Sequence, residues 1–107
     1  MNMDSLVRAI RKHSGMTEDE IIQAGEHGAD AGWAGFTYYN DTVEFYDDHE
    51  KLIWDLLADR AEDMGESINE LIGSFKTKFD DLDTFKNLLS WFALEESGRW
   101  LADEKND

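Results

Sequence analysis

Five carboxylates, Asp48, Asp55, Asp59, Glu62 and Glu66, follow one another at spacings of seven, four, three and four, which on a helix brings them into one stripe. Only Lys51 interrupts it. A stripe of this kind has three chemistries open to it. Paired carboxylates work as general acid and base when one is held protonated, a property that sequence does not display. They also ligate hard metal ions, but no spacing here follows a known ligand pattern. Finally, they form a fixed array of negative charge opposite the cations of a partner. Neighbouring carboxylates on a helix stand about 6 Å apart and repel by a few tenths of a kcal/mol per pair, so folding gains nothing from them. The plain reading is a solvated face that keeps the chain soluble. The functional reading is a phosphate-like array filling a basic surface, of the kind that meets about one charge per 1.7 Å of duplex axis.

The stripe belongs to a wider imbalance. The chain carries 25 Asp and Glu against 10 Lys and Arg, a net charge of −15. Residues 41–66 alone hold ten carboxylates against Lys51 and Arg60, a local charge of −8. Self-repulsion on this scale opposes the compact state. It also disfavours direct binding of nucleic acid or of an anionic membrane, since only the first predicted helix is basic. Four Trp, three Tyr and six Phe are too many for a disordered acidic tail. We therefore expect one folded domain over residues 1–107. No cysteine is present, which removes disulfides and thiolate metal sites. No apolar run nears the roughly 18 residues of a membrane span, and the start lacks a secretory apolar stretch. The expected location is the cytoplasm.

A second candidate is the glycine-rich segment from His27 to Tyr39. No Lys-Ser or Lys-Thr follows its glycines and the expected strand comes after them, so it is not a phosphate loop. Its plain reading is a tight loop in which Trp33 covers neighbouring elements, His27 caps a helix end and Asp30 holds a turn. Its functional reading is a contact surface of Trp33, Tyr38 and Tyr39 with Glu44 beside them, because Tyr and Trp are enriched at interface hot spots. His27 with Asp30, and Asp47-Asp48-His49, offer ligand types without a ligand spacing. Asp80-Asp81-Leu82-Asp83 lacks the glycine and final Glu of a calcium loop. We expect no metal, no cofactor, no catalytic residue and no enzyme. Arg60 falls on an apolar helix face, which predicts snorkelling or an ion pair with a Glu at the core edge.

The positioning elements are read from caps and periodicity. Leu6, Val7 and Ile10 predict a helix over Asp4–His13. Thr17 with Glu20 is a capping box opening a second helix to about His27, and Gly25 to Gly35 reads as a loop. Phe36 to Tyr46 reads as a β-hairpin closed by Asn40-Asp41, with Phe36, Tyr38, Val43 and Phe45 on one face and Thr37, Tyr39, Thr42 and Glu44 on the other. A helix opened by Asp41 and Glu44 is the alternative for this stretch. Asp47 or Asp48 caps a third helix to Met64, with Ile53, Leu56, Leu57, Ala61 and Met64 inward and Gly65 ending it. Ser67 with Glu70 opens a short helix. The last helix starts after Asp81 or Asp83 and runs to about Ala102. Its Trp91, Leu94 and Leu101 point away from its main apolar stripe, so either it is covered on both sides or it forms a homodimer surface. The expected fold is a single α+β domain, mainly helical, with one two-stranded hairpin.

The segment HGADAGWAGFTYYNDTVEFYDDH, with the later LLSWFALEE, resembles an uncharacterised family of small acidic proteins of bacteriophages and prophages. The resemblance covers roughly residues 25–96 and brings no residue roles with it. It implies a host bacterial cell and, by size and charge, an inhibitor of host defence of the anti-CRISPR or anti-restriction type. Such an inhibitor blocks a host nucleic-acid-binding protein through Asp48, Asp55, Asp59, Glu62 and Glu66. Two alternatives stand beside it: a small enzyme or ligand-binding protein centred on the glycine loop, and a structural or regulatory phage module pairing through Trp91, Leu94 and Leu101.

Overall fold

The computed structural model describes residues 2–27, 39–76 and 82–105. They form six helices: α1 (Met3–Ser14), α2 (Glu18–His27), α3 (Tyr39–Asp48), α4 (Glu50–Met64), α5 (Ile68–Lys76) and α6 (Leu82–Lys105). Local chemistry accounts for most of the boundaries. The Asn2 side chain accepts the Ser5 amide to open α1. Gly15, at φ 74°, closes it by donating its N–H to the Arg11 carbonyl. Both capping boxes form: Thr17 and Glu20 exchange side chain-to-amide bonds of 3.1 and 3.2 Å, and so do Ser67 and Glu70. Gly65 takes φ 71° at the end of α4. The Glu66 amide then reaches back to the Ala61 carbonyl at 2.8 Å, the outer bond of a Schellman turn.

There is no strand among the described residues, and the fold is all-α, which corrects the expected α+β domain. The second strand of the expected hairpin is the middle of α3. Of the first, Tyr39 opens the helix, while Phe36, Thr37 and Tyr38 lie outside the described residues. The hairpin pattern relied on Val43 and Phe45, two residues apart. The helix instead groups Thr42, Phe45 and Tyr46, three and four apart, and all three are buried. Thr42 is polar, so its burial requires partners. They come from α6: the Thr42 hydroxyl donates to Asn87 Oδ1, and Ser90 Oγ donates to the Thr42 carbonyl at 2.6 Å.

Two further expectations change. The expected third helix is α4, which follows α3 across a break at His49 (φ −129°, ψ 31°). Neither Asp47 nor Asp48 caps α4, whose N-cap is His49 without a side-chain cap bond. Met64, expected inward, is exposed at the end of α4. Gly25 lies inside α2, while Gly28, Gly32 and Gly35 fall outside the described residues.

The core is organised around α6, which touches each of the other five helices. Phe85, Leu89, Ala93, Leu94 and Leu101 are buried around its circumference, as expected of a helix covered on several sides. Against it lie Leu6, Val7 and Ile10 of α1, Ile21 and Ala24 of α2, Phe45 of α3, Ile53, Leu56 and Leu57 of α4, and Leu71 and Ile72 of α5. The crossing of α2 over α6 is the tightest. A Cβ built on Gly98 would sit 2.3 Å from the Ile21 carbonyl oxygen and 2.8 Å from the Gly25 backbone. Two glycines face to face let these helices approach more closely than any pair bearing side chains.

Candidate functional site

On α4, Asp55, Asp59 and Glu62 project from one side, and Glu66 follows just beyond the Gly65 turn. Asp55, Glu62 and Glu66 are exposed, Asp59 half-buried. Asp55, Glu62 and Glu66 have no cation on them among the described residues. Arg60, on the same helix, is engaged elsewhere. Arg60 Nε donates to Glu96 Oε2 at 2.7 Å and its Nη1 to Asp63 at 3.0 Å. Glu96, with a side chain only 11% exposed, also accepts from Arg99 Nη1 at 2.8 Å. One buried carboxylate thus sits between two guanidinium groups and ties α4 to α6. This is the ion pair expected of Arg60, with Glu96 as the core-edge acid.

Asp48 does not join the ridge. As the last residue of α3 it stands across the His49 break, beside Lys12 and His13 of α1, where a groove of about 390 Å³ opens. His13 Nε2–H donates to the Asp41 carbonyl at 2.9 Å, a direction set by the carbonyl, which only accepts. Its ring meets buried Phe45 edge-on at 5.4 Å, and His49 packs on Phe45 at 4.8 Å. Burial pushes the His49 imidazole below its ordinary value; Asp48 opposes that shift, and His13 and Lys12 add to it. Further along α3, Trp54 Nε1–H donates to Tyr46 Oη at 2.8 Å. Lys86 lies over the Tyr46 ring and pairs with Asp47 at 2.7 Å. Burial raises the Tyr46 phenol above its ordinary value, Trp54 opposing. No group of three His, Asp or Glu is placed to hold a metal ion among the described residues.

The sequence profile of a domain of unknown function, DUF7222, matches residues 7–107. The chain belongs to this family. No curated protein and no solved structure matches it. The DUF7222 match takes in every helix from the second turn of α1 onward, and with them the ridge and the Arg60–Glu96–Arg99 bridge.

The remaining predicted residues of this DUF7222 chain divide by position. Trp33, Asp30 and Tyr38 lie outside the described residues, as do the side chains of His27 and Tyr39. Glu44 is exposed on α3. Leu94 and Leu101 are buried within the chain itself, and Trp91 packs half-buried against the same core. No described helix is long and apolar enough to cross a membrane. Sequence reasoning missed Thr42, Asn87, Ser90 and Gly98, whose roles are contacts across 45 or more residues or between two helix backbones. The available signal was the run of small residues Ser97-Gly98 inside an otherwise good helix former.

Proposed function

We propose that this chain is a phage-encoded inhibitor of a host defence system, of the anti-CRISPR or anti-restriction kind, which blocks a basic nucleic-acid-binding surface by presenting carboxylates in place of phosphates. The observation that carries the reading is the exposed α4 ridge, on which Asp55, Glu62 and Glu66 hold no cation among the described residues while Arg60 turns to Glu96. Asp55, Asp59 and Glu62 span seven residues, about 10 Å of helix axis at 1.5 Å per residue, hence one charge per roughly 5 Å. One strand of duplex DNA carries one per about 3.4 Å. The match in density is loose, but a rigid helix holds its charges without the ordering cost of a flexible strand. The net charge of −15 adds long-range attraction toward any basic cleft. The resemblance to small acidic phage proteins supplies the biological setting.

The test uses the full chain and a D55N/D59N/E62Q/E66Q variant, each tagged and mixed with lysate of a candidate bacterial host. The expected capture is a nucleic-acid-binding protein whose DNA or RNA binding is lost when the wild-type chain is added and retained with the variant. Capture should weaken steeply with salt, since several exposed ion pairs form at once. Binding indifferent to both salt and the four substitutions removes the mimicry reading.

A further inference from the structure

Between α1 and the end of α6 runs a groove of about 490 Å³, floored by Val7 and Leu101 and flanked by Trp100. That volume falls in the range of small-molecule sites, roughly 300–1,000 Å³. One end is closed by an ion cluster in which Glu18 lies 3.6 Å from Arg11 and 3.8 Å from Lys105, with Lys105 also 3.0 Å from Asp19. The rest of the rim behaves differently. Arg8, Asp4 and Glu104 all line the groove and none of them has a side-chain partner among the described residues. Asp4 and Arg8 are four apart on one helix, acid before base, the arrangement that ordinarily pairs. Here the two stay apart, and of the four arginines Arg8 is the one without a carboxylate among the described residues. A guanidinium and two carboxylates around an apolar floor and an indole complement a small molecule with one negative group, one positive group and an apolar body.

We propose that this groove binds a zwitterionic apolar ligand, an α-amino acid with an aromatic or large aliphatic side chain. Its carboxylate meets Arg8, its ammonium meets Asp4 and Glu104, and its side chain lies along Trp100 over Val7 and Leu101. The site shares no residue with the α4 ridge and stands or falls apart from it. Neither anions nor cations alone suit it: an anion that meets Arg8 is repelled by Asp4 and Glu104, and a cation that meets the carboxylates is repelled by Arg8.

The experiment is a proton–nitrogen NMR titration of the full chain with L-phenylalanine, phenylalaninamide, which lacks the carboxylate, and N-acetylphenylalanine, which lacks the ammonium. Phenylalanine should shift the Trp100 indole N–H and the amides of Val7, Arg8 and Leu101, and bind roughly tenfold more tightly than either comparator, as expected for loss of one charge-assisted hydrogen bond. Arg8→Gln, an exposed change, should weaken phenylalanine about tenfold and abolish its advantage over phenylalaninamide while shifts outside the groove stay put. D4N/E104Q should likewise abolish its advantage over N-acetylphenylalanine. The proposal is overturned if phenylalanine moves no groove resonance, if either comparator binds as well as phenylalanine, or if Arg8→Gln leaves its affinity unchanged.

Discussion

Replacing Gly98 by alanine tests the packing on which the whole helical assembly depends. The new methyl would lie 2.3 Å from the Ile21 carbonyl oxygen, and 2.8 Å from both the Cα and the amide nitrogen of Gly25. Every one of these is a backbone atom, so no side chain can rotate away and α2 must move off α6 by about 1 Å to restore ordinary contact. Overpacking of this kind costs roughly 1–3 kcal/mol and sometimes more. The displacement also loosens Ile21 and Ala24, both fully buried. Against this stands the gain of about 1 kcal/mol from replacing glycine in a helix interior. The net expectation is a loss of about 1 kcal/mol, or a fall in melting temperature of roughly 4–8 °C for a domain near 100 residues. Gly73→Ala in α5 is the matched control, because nothing lies within 4 Å of its added Cβ; it should stabilise by roughly 0.5–1 kcal/mol. Urea and thermal unfolding followed by circular dichroism read both. If Gly98→Ala is as stable as the wild type, or gains like Gly73→Ala, the glycine-to-glycine crossing does not exist and the placement of α2 is wrong.

Two other substitutions probe the charged and titrating groups. Glu96→Gln removes the charge between Arg60 and Arg99 and should cost about 2 kcal/mol, below the 3–5 typical of a fully buried pair because both guanidinium groups are partly exposed; a double R60M/E96L variant should cost less than the single change, and urea midpoints of the three proteins decide it. His49 is held below its ordinary pKa, so the unfolded chain binds more protons than the folded one as pH falls through the ordinary histidine value of about 6.5. Stability contributed by neutral His49 is therefore fully present above that value and declines below it, as Lys12 and His13 oppose the new cation and Asp48 alone favours it. Urea midpoints measured from about pH 7.5 to 5.5 should fall with acid, and His49→Gln should reduce the slope; an unchanged slope would show that His49 titrates alike in both states.

Local chemistry was legible in the residues themselves. Thr17 with Glu20 and Ser67 with Glu70 announce helix starts because each box satisfies its amides within four residues, and Gly65 announces a helix end because only a glycine takes its backbone angle without strain. The apolar stripes of α1 and α4 could be read for the same reason: a helix that buries one face writes its period into the chain. The acidic ridge from Asp55 to Glu66 was equally plain, needing nothing beyond helical spacing.

Tertiary structure alone decided the rest. Thr42 to Tyr46 carries a strand pattern through Val43 and Phe45 and a helix pattern through Thr42, Phe45 and Tyr46, and the second prevails because Asn87 and Ser90 arrive from α6 to satisfy a buried threonine. Asp48 left the ridge when the chain broke at His49, where ring packing on Phe45 and contact with α1 replace continued helix. The last helix displays no single apolar face, since neighbours surround it, and so the chain left Leu94 and Leu101 open between core and surface; both are buried. Capping and amphipathicity act over a few residues and leave their mark in the chain. Partnership between distant polar groups, and the approach of two backbones at Gly25 and Gly98, arise only when separate helices meet.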